Sequence, residues 1–364
     1  MGALSGLLGI ELAGQGPGPF CAAWLADHGA DIVRVVAPSR GDLPGLAGAA
    51  EPMVGGRPTL ELDLKSDGDR ERLLELVDGA DFLLEGFRPG VVERLGIGPD
   101  VCCTRNPRLV YARITGWGQE GPLAARAGHD IDYIALTGAL AAIGPPEQPV
   151  PPLNLIGDYA GGGLFAALGI LAALVERQRS GEGQVVDAAM VDGAGYLMAP
   201  FFELAAGNAW TSQRAGNILD GGAPFYGVYT TADGGHLAVG ALEPQFFAEL
   251  CRVLDVGDDP AFADQYDTDR WPAMRARLVE LFASRTRSAW QEVFAEIDAC
   301  VAPVLTMDEA PSHAHHRARG GHVELPSGVV VPEAAPRLSR TPGERASTTS
   351  QATDELLARF RERA

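Results

Sequence analysis

Between residues 7 and 115, short apolar runs alternate with helix-patterned stretches. That alternation constrains the chain more than any other feature. Residues 7–12 read as a strand, 13–19 as a turn, 20–28 as a helix stopped by Gly29, and 31–36 as a second strand. Residues 59–63, 81–85 and 108–115 add strands, with a helix at 67–77. This order predicts an α/β fold whose parallel sheet is covered by helices on both faces. The opening turn does not carry the dinucleotide fingerprint. Pro19 stands where G-x-G-x-x-G needs its last glycine, and Val35-Val36-Ala37 occupies the place of the ribose-binding acid.

Later segments depart from this pattern. A helical stretch near 130–143 is followed by a proline-rich break at 145–152 and a helix over 159–177. Residues 185–190 suit a strand or a helix. Residues 191–224 read as a helix and then a glycine- and asparagine-rich connection. A hairpin is expected from runs 225–231 and 236–240, joined by Ala232-Asp233-Gly234-Gly235. Helices follow to about 297, and 354–363 forms a short terminal helix. A chain of 364 residues suits two domains.

Composition removes several function classes. The chain has 48 acids against 29 bases and a net charge of −19, unlike a general binder of nucleic acid or anionic membrane. Lys65 is the single lysine. The five cysteines, Cys21, Cys102, Cys103, Cys251 and Cys300, form no C-x-x-C pair, so a disulfide framework or zinc site is not indicated and a reduced, cytoplasmic setting is expected. The first residues lack a basic segment before an apolar run, unlike a secretory signal. The longest uncharged run, 159–175, is 17 residues, short of the roughly 20 needed to span a bilayer, and reads as a buried helix.

Three segments could carry chemistry. In Gly128-His129-Asp130-Ile131-Asp132-Tyr133, His129 stands at a helix start, where the dipole favours neutral imidazole. A capping or loop histidine is the plainer explanation of that residue alone. In the segment Asn154 to Gly163, Asp158 falls where a helix N-cap belongs. Gly161, Gly162 and Gly163 would then sit in a first helical turn at a cost of about 1 kcal/mol each. Close approach of a ligand or another backbone is the expected cause, and free N–H groups there could receive a developing oxyanion. Glu243 before Pro244 resembles a helix start and has a solvated cap as its plainer reading. These three residues suit acid–base work if they converge.

Arg34, Arg40, Arg57, Lys65, Arg88 and Arg94 all lie near strand ends or loops, with a solvated face as the default reading. Glu85-Gly86-Phe87-Arg88-Pro89-Gly90 reads as a tight turn presenting an arginine suited to phosphate. His313-Ala314-His315-His316 lacks the i, i+4 spacing of a helical metal pair. No G-x-S-x-G nucleophile elbow occurs.

Across nearly its whole length the chain resembles the family III CoA-transferases, and within them the α-methylacyl-CoA racemase branch. The residues that carry the likeness include Gly29-Ala30-Asp31-Ile32-Val33-Arg34, Leu62-Asp63-Leu64-Lys65, Glu85 to Gly90, Thr115-Gly116-Trp117-Gly118, Gly128 to Tyr133, Gly157-Asp158 and Leu242-Glu243-Pro244-Gln245-Phe246. The resemblance implies a Rossmann-like large domain from residues 1–190 and 330–364, a linker at 191–224, and a smaller α+β domain with return linker at 225–329. It also implies an interlocked homodimer whose site joins the large domain of one subunit to the small domain of the other.

By that resemblance His129, Asp158 and Glu243 are catalytic. Leu62, Asp63, Leu64, Lys65, Gly86, Phe87, Arg88, Arg94, Gly128, Asp130 and Tyr133 hold CoA. The racemase branch keeps the histidine, whereas the transferases keep the aspartate as a nucleophile. An acyl-CoA racemase or epimerase is therefore expected, with CoA as part of the substrate and no metal or redox cofactor. A transferase working through an aspartyl anhydride at Asp158 is the alternative, and a non-catalytic acyl-CoA-binding protein a third. Relatives often carry an arginine where this chain has Ala37, and Arg40 would substitute.

Overall fold

A computed structural model describes residues 2–38, 53, 55–345 and 353–364. Contacts divide the chain into two units. One comprises residues 1–139, 152–199 and 314–364, the other 140–151 and 200–313. The first break therefore falls at 199 rather than 190. Residues 140–151 go with the second unit, and 314–329 with the first.

The first unit is built on six parallel strands: β1 (Leu8–Leu12), β2 (Asp31–Val36), β3 (Thr59–Glu61), β4 (Phe82–Glu85), β5 (Val110–Thr115) and β6 (Val185–Ala189). Their order is β3-β2-β1-β4-β5-β6. β1, β4 and β5 are buried along their whole length, as central parallel strands covered on both faces must be. The chain leaves β1 for one side of the sheet and later returns to its other side at β4. That reversal opens a crevice at the strands' carboxyl ends, the usual ligand position in this architecture.

Helices cover the sheet. Those of the first unit are α1 (Pro17–Asp27), α2 (Asp67–Gly79), α3 (Val91–Arg94), α4 (Pro99–Arg105), α5 (Asp130–Ala135), α7 (Phe165–Ser180) and α8 (Met190–Leu197), while α6 (Ala139–Ala142) and α9 (Ala199–Ala206) start at its boundaries and run into the second unit. α1 begins three residues before the sequence expectation, because Pro17 at a helix start sacrifices no hydrogen bond. The stretch expected near 130–143 is two short helices. Gly138 at φ +86° ends the first, and the Thr137 hydroxyl donates to the Ile134 carbonyl.

The largest departure lies just upstream of α7. Leu155–Leu164 is a π-helix that runs directly into α7. Asp158 is therefore not an N-cap, a place taken by Asn154, but a residue of the first wide turn. Leu155–Ser180 spans 26 residues and contains an 18-residue window of mean hydropathy 1.6, long and apolar enough by length and composition to cross a membrane. In the fold Ala166, Ala167, Ile170, Ala173 and Leu174 pack into one core with the sheet residues Val110, Ala112 and Ile114. Arg177 near its end donates to Asp81 at 2.7 Å.

The glycine triplet is explained by neighbouring backbone rather than by a ligand. A Cβ on Gly161 would stand 2.7 Å from the Ala194 nitrogen, and one on Gly163 3.0 Å from the Pro17 carbonyl oxygen. The π-helix can thus lie against α1 and α8 only without those side chains.

In the second unit β7 (Tyr226–Thr230), β8 (His236–Gly240) and β9 (Val301–Pro303) form an antiparallel sheet, with β7 and β8 as the expected hairpin. Helices α10 (Pro244–Leu254), α11 (Trp271–Phe282) and α12 (Arg287–Phe294) supply Leu250, Phe282 and Trp290 to its separate core. The chain then returns to the first unit through α13 (Ala314–Arg319), the small sheet of β10 (His322–Glu324) and β11 (Val330–Pro332), and α14 (Thr353–Arg363).

Candidate active site

At the β1/β4 reversal lies a cavity of about 350 Å³. The strand ends contribute Leu12, Thr115 and Gly116; Gly86, Phe87 and Arg88 form one wall, and Gly128, His129 and Tyr133 another. Gln15, Trp117 and Arg126 also line it and were not among the expected site residues. Trp117 lies in the Thr115-Gly116-Trp117-Gly118 run, which marked the family without indicating a role. Arg88 and Arg126 are exposed here, so the cavity is locally basic in an acidic protein.

His129 is exposed and occupies the N-cap position of α5. Its backbone N–H donates to Asp132 Oδ2 at 2.9 Å, which helps hold the helix start. Tyr133, one turn on, packs edge-on against Trp117 with ring centroids 4.8 Å apart and donates to the Gly128 carbonyl. Burial pushes the Tyr133 phenol up to about 12, and the Asp158 charge adds to the rise. It therefore stays a proton donor at neutral pH.

Asp158 is half-buried. Its Oδ2 accepts from the Asn154 amide at 3.0 Å and would stand 3.2 Å from a Cβ on Gly16. Burial raises this carboxyl above its ordinary value; the Asn154 hydrogen bond opposes the rise, Asp130 adds to it, and His129 opposes it. His129 and Asp158 are thus electrostatic neighbours in the same unit. Asp130, 7% exposed, accepts the backbone N–H of Asp158 at 2.7 Å. That amide is consequently not available to a substrate oxyanion, and Asp130 reaches the site by orienting Asp158.

The other expected binding residues lie at the carboxyl edge of the sheet. Asp63 and Lys65 are exposed, and Asp63 accepts from the Lys65 N–H at 3.1 Å. Leu64 is partly buried and packed against the core. Leu62 is only 1% exposed, so its side chain belongs to the core and only its backbone can face a ligand. Arg94 is exposed at the end of α3. Arg34 and Arg57 do not form a solvated face. Both pair with the buried Glu11, at 3.4 and 2.9 Å. Arg40 lies outside the described residues. Glu243 belongs to the second unit, exposed at the N-cap of α10, where its carbonyl accepts from Phe246 and Phe247. The preceding Leu242 carbonyl accepts from Gln265 at 2.9 Å and from Tyr266 at 2.7 Å, which fixes the turn presenting Glu243.

A parallel sheet of this order, with an imidazole and a raised carboxyl near its reversal point, defines a class of α/β proteins that act on ligands held at strand ends. Residues 4–350 match CoA-transferase family III, and the chain belongs to that family. It is 44% identical to the human alpha-methylacyl-CoA racemase over 98% of this chain and 93% of that protein. It is 32% identical to a succinyl-CoA–D-citramalate CoA-transferase of Chloroflexus aurantiacus, over 92% and 87%. Among solved structures, a CAIB/BAIF family protein from Brucella suis superposes with a TM-score of 0.82 and 25% identity, covering 100% of both chains.

Proposed function

We propose that this protein is an acyl-CoA racemase that interconverts (R)- and (S)-2-methylacyl-CoA thioesters by 1,1-proton transfer. The observation that carries the reading is that His129 lies close enough to Asp158 to act on its charge, Asp158 being a carboxyl raised by burial and held in place by Asn154 and Asp130. The 44% identity to a racemase supports it.

The proton alpha to a thioester is weakly acidic, so removing it requires stabilisation of the enolate oxygen by donors in a water-poor pocket. Inversion needs one base and one acid on opposite faces of the planar intermediate. In one direction neutral His129 takes the α-proton and protonated Asp158 returns one to the other face. In the reverse direction the Asp158 carboxylate removes the proton and the imidazolium supplies one. The raised carboxyl suits a group that must hold a proton in one half of the cycle. Asp130 and Asn154 position Asp158, and Tyr133 lines the same cavity as His129. Gly86, Phe87, Arg88, Lys65 and Arg94 are assigned to the nucleotide part of CoA, where arginine forks match phosphate oxygens.

Glu243 is assigned to the same site from the partner subunit of an interlocked homodimer. Tyr196, Leu168 and Leu155 are 72%, 60% and 54% exposed on the first unit, large apolar side chains of the kind a second copy of the chain would cover.

The deciding experiment incubates the enzyme with 2-methylacyl-CoA in heavy water. Deuterium should enter at the α-carbon together with loss of optical purity. No exchange with any 2-methylacyl-CoA would end the racemase reading. The family's transferases favour a second possibility, in which Asp158 attacks the thioester. Trapping of an acyl-Asp158 by hydroxylamine in the presence of a carboxylate acceptor would favour that instead.

A further inference from the structure

Directly beneath the Gly86–Arg88 wall lies a buried charge cluster that the proton-transfer chemistry does not use. Glu85, the last residue of β4, is 0% exposed. Its Oε2 accepts the Phe87 N–H at 2.6 Å, and its Oε1 accepts from Arg113 Nε at 3.0 Å. Arg113 faces Glu85 in register on β5, is 6% exposed, and reaches Glu93 Oε1 through Nη1 at 2.8 Å. Glu93 is on α3, immediately before Arg94. One guanidinium therefore ties the turn carrying Phe87 and Arg88 to the short helix carrying Arg94.

A buried ion pair is weak evidence for stability, because desolvating the charges offsets their attraction. Burial pushes Glu85 up to about 7 despite the Phe87 amide and Arg113, with Glu93 adding to the rise. Tyr111 on β5, whose hydroxyl donates to the Ile97 carbonyl at 2.9 Å, feels the Glu85 charge, and behind it lies Cys102 on α4. Both are raised by burial and stay neutral. An apolar side chain would fill the space without this penalty but could not order the turn. Clusters with such perturbed groups gather at functional sites.

We propose that Glu85 and Arg113 are positioning residues that hold the Gly86–Arg88 turn and α3 in the conformation that grips the nucleotide part of CoA. The inference rests on the assignment of that turn to CoA. Ionised Glu85 serves both the Phe87 amide and Arg113. Protonated Glu85 keeps the weaker hydrogen bond and loses the charge that anchors Arg113, so the two cation-bearing segments uncouple.

The test titrates the full-length protein with CoA by calorimetry from pH 8 to pH 6 and measures racemisation in parallel. Native protein should bind CoA about fivefold more weakly at pH 6 than at pH 8. Glu85→Gln should bind about tenfold more weakly at pH 8 with less than about twofold further change on acidification. Its KM should rise while kcat stays within about twofold, a split that general destabilisation would not produce. CoA's own phosphate ionisation and His129 affect both proteins alike, so the difference between the two profiles isolates Glu85. Glu93→Gln, altered at a partly exposed position, should weaken binding at least about threefold and tests the same linkage if Glu85→Gln does not fold. A folded variant of either kind that binds CoA like native protein overturns the proposal. Native protein that shows no binding of CoA at all removes the CoA assignment beneath it, an outcome distinct from equal binding by native and variant.

Discussion

The Asp130 carboxylate accepts the backbone N–H of Asp158 at 2.7 Å, and it does so across a glycine: a Cβ on Gly157 would stand 2.4 Å from the same Asp130 oxygen. The residue after His129 thereby sets the π-helical turn that carries Asp158. Both proposed acid–base groups are placed by one short contact.

Gly157→Ala should force these partners apart, because the clashing oxygen belongs to a short, buried, hydrogen-bonded side chain. Displacements of this size cost about 10²-fold when reacting groups must be aligned. We expect kcat for racemisation to fall at least about tenfold, with the melting temperature lowered. A Gly157→Ala enzyme with native kcat would mean that this contact does not align Asp158.

His129→Ala and Asp158→Ala should each lower kcat by about 10² to 10⁴, the usual worth of a positioned general acid or base. Deuterium incorporation into separate (R)- and (S)-substrates should distinguish the two, since the proposed scheme has each enantiomer deprotonated by a different residue. Equal residual exchange from both enantiomers in either variant would argue against the two-base scheme.

The raised carboxyl of Asp158 also predicts a stability effect. The native state keeps this proton to a higher pH than the unfolded chain does. Stability is therefore full below the ordinary carboxylate range, about pH 4, and is lost as pH rises from there through the native value. Asp158→Asn, which can still accept from Asn154, should melt at a higher temperature than native protein at pH 7. That advantage should shrink towards zero in acid. Thermal unfolding followed by circular dichroism across this range checks it, and an equal or lower melting temperature at pH 7 contradicts it.

The cross-subunit assignment of Glu243 can be tested by complementation. Refolding a mixture of inactive His129→Ala and Glu243→Ala chains should yield heterodimers with one intact site. About a quarter of native activity should return, since about half of the dimers are mixed and each carries one of two sites. Sites confined to single chains would give no recovery.

Phe360 on α14 is 0% exposed, and its carbonyl oxygen sits where a Cβ on Gly79 would come within 2.1 Å. The terminal helix is thus keyed onto the end of α2. Phe360→Ala should cost about 3 to 5 kcal/mol, the usual range for emptying an aromatic site in a core. Urea unfolding reads this directly, and a loss under about 1 kcal/mol would show that α14 adds little to the core.

Much of the architecture was legible along the chain. Alternating strand and helix patterns announced the parallel sheet, and Ala232-Asp233-Gly234-Gly235 announced the β7–β8 hairpin, because both signals are local. Asp158 was singled out but misplaced. Its neighbours satisfy the pattern for an N-cap, and a π-helix has no periodic signature that separates it from an α-helical turn. Arg57 was read as a solvated group and Leu62 as a CoA contact, because sequence gives position along a strand but not what covers it. Gln15 and Arg126 were missed, since a turn glutamine and a loop arginine carry no signal until a cavity gathers them.

By itself the order of residues determined the fold class, the glycines that had to be bare and the identity of the acid–base candidates. Those properties follow from steric volume, hydrogen-bonding capacity and periodicity, which each residue carries with it. Only the tertiary structure decided that Asp130 holds the Asp158 amide, that neighbouring helices rather than a ligand occupy the space beside Gly161 and Gly163, and that Glu85 is buried against Arg113. Such relations depend on burial and on distances between segments remote in sequence, quantities that exist only after the chain has packed.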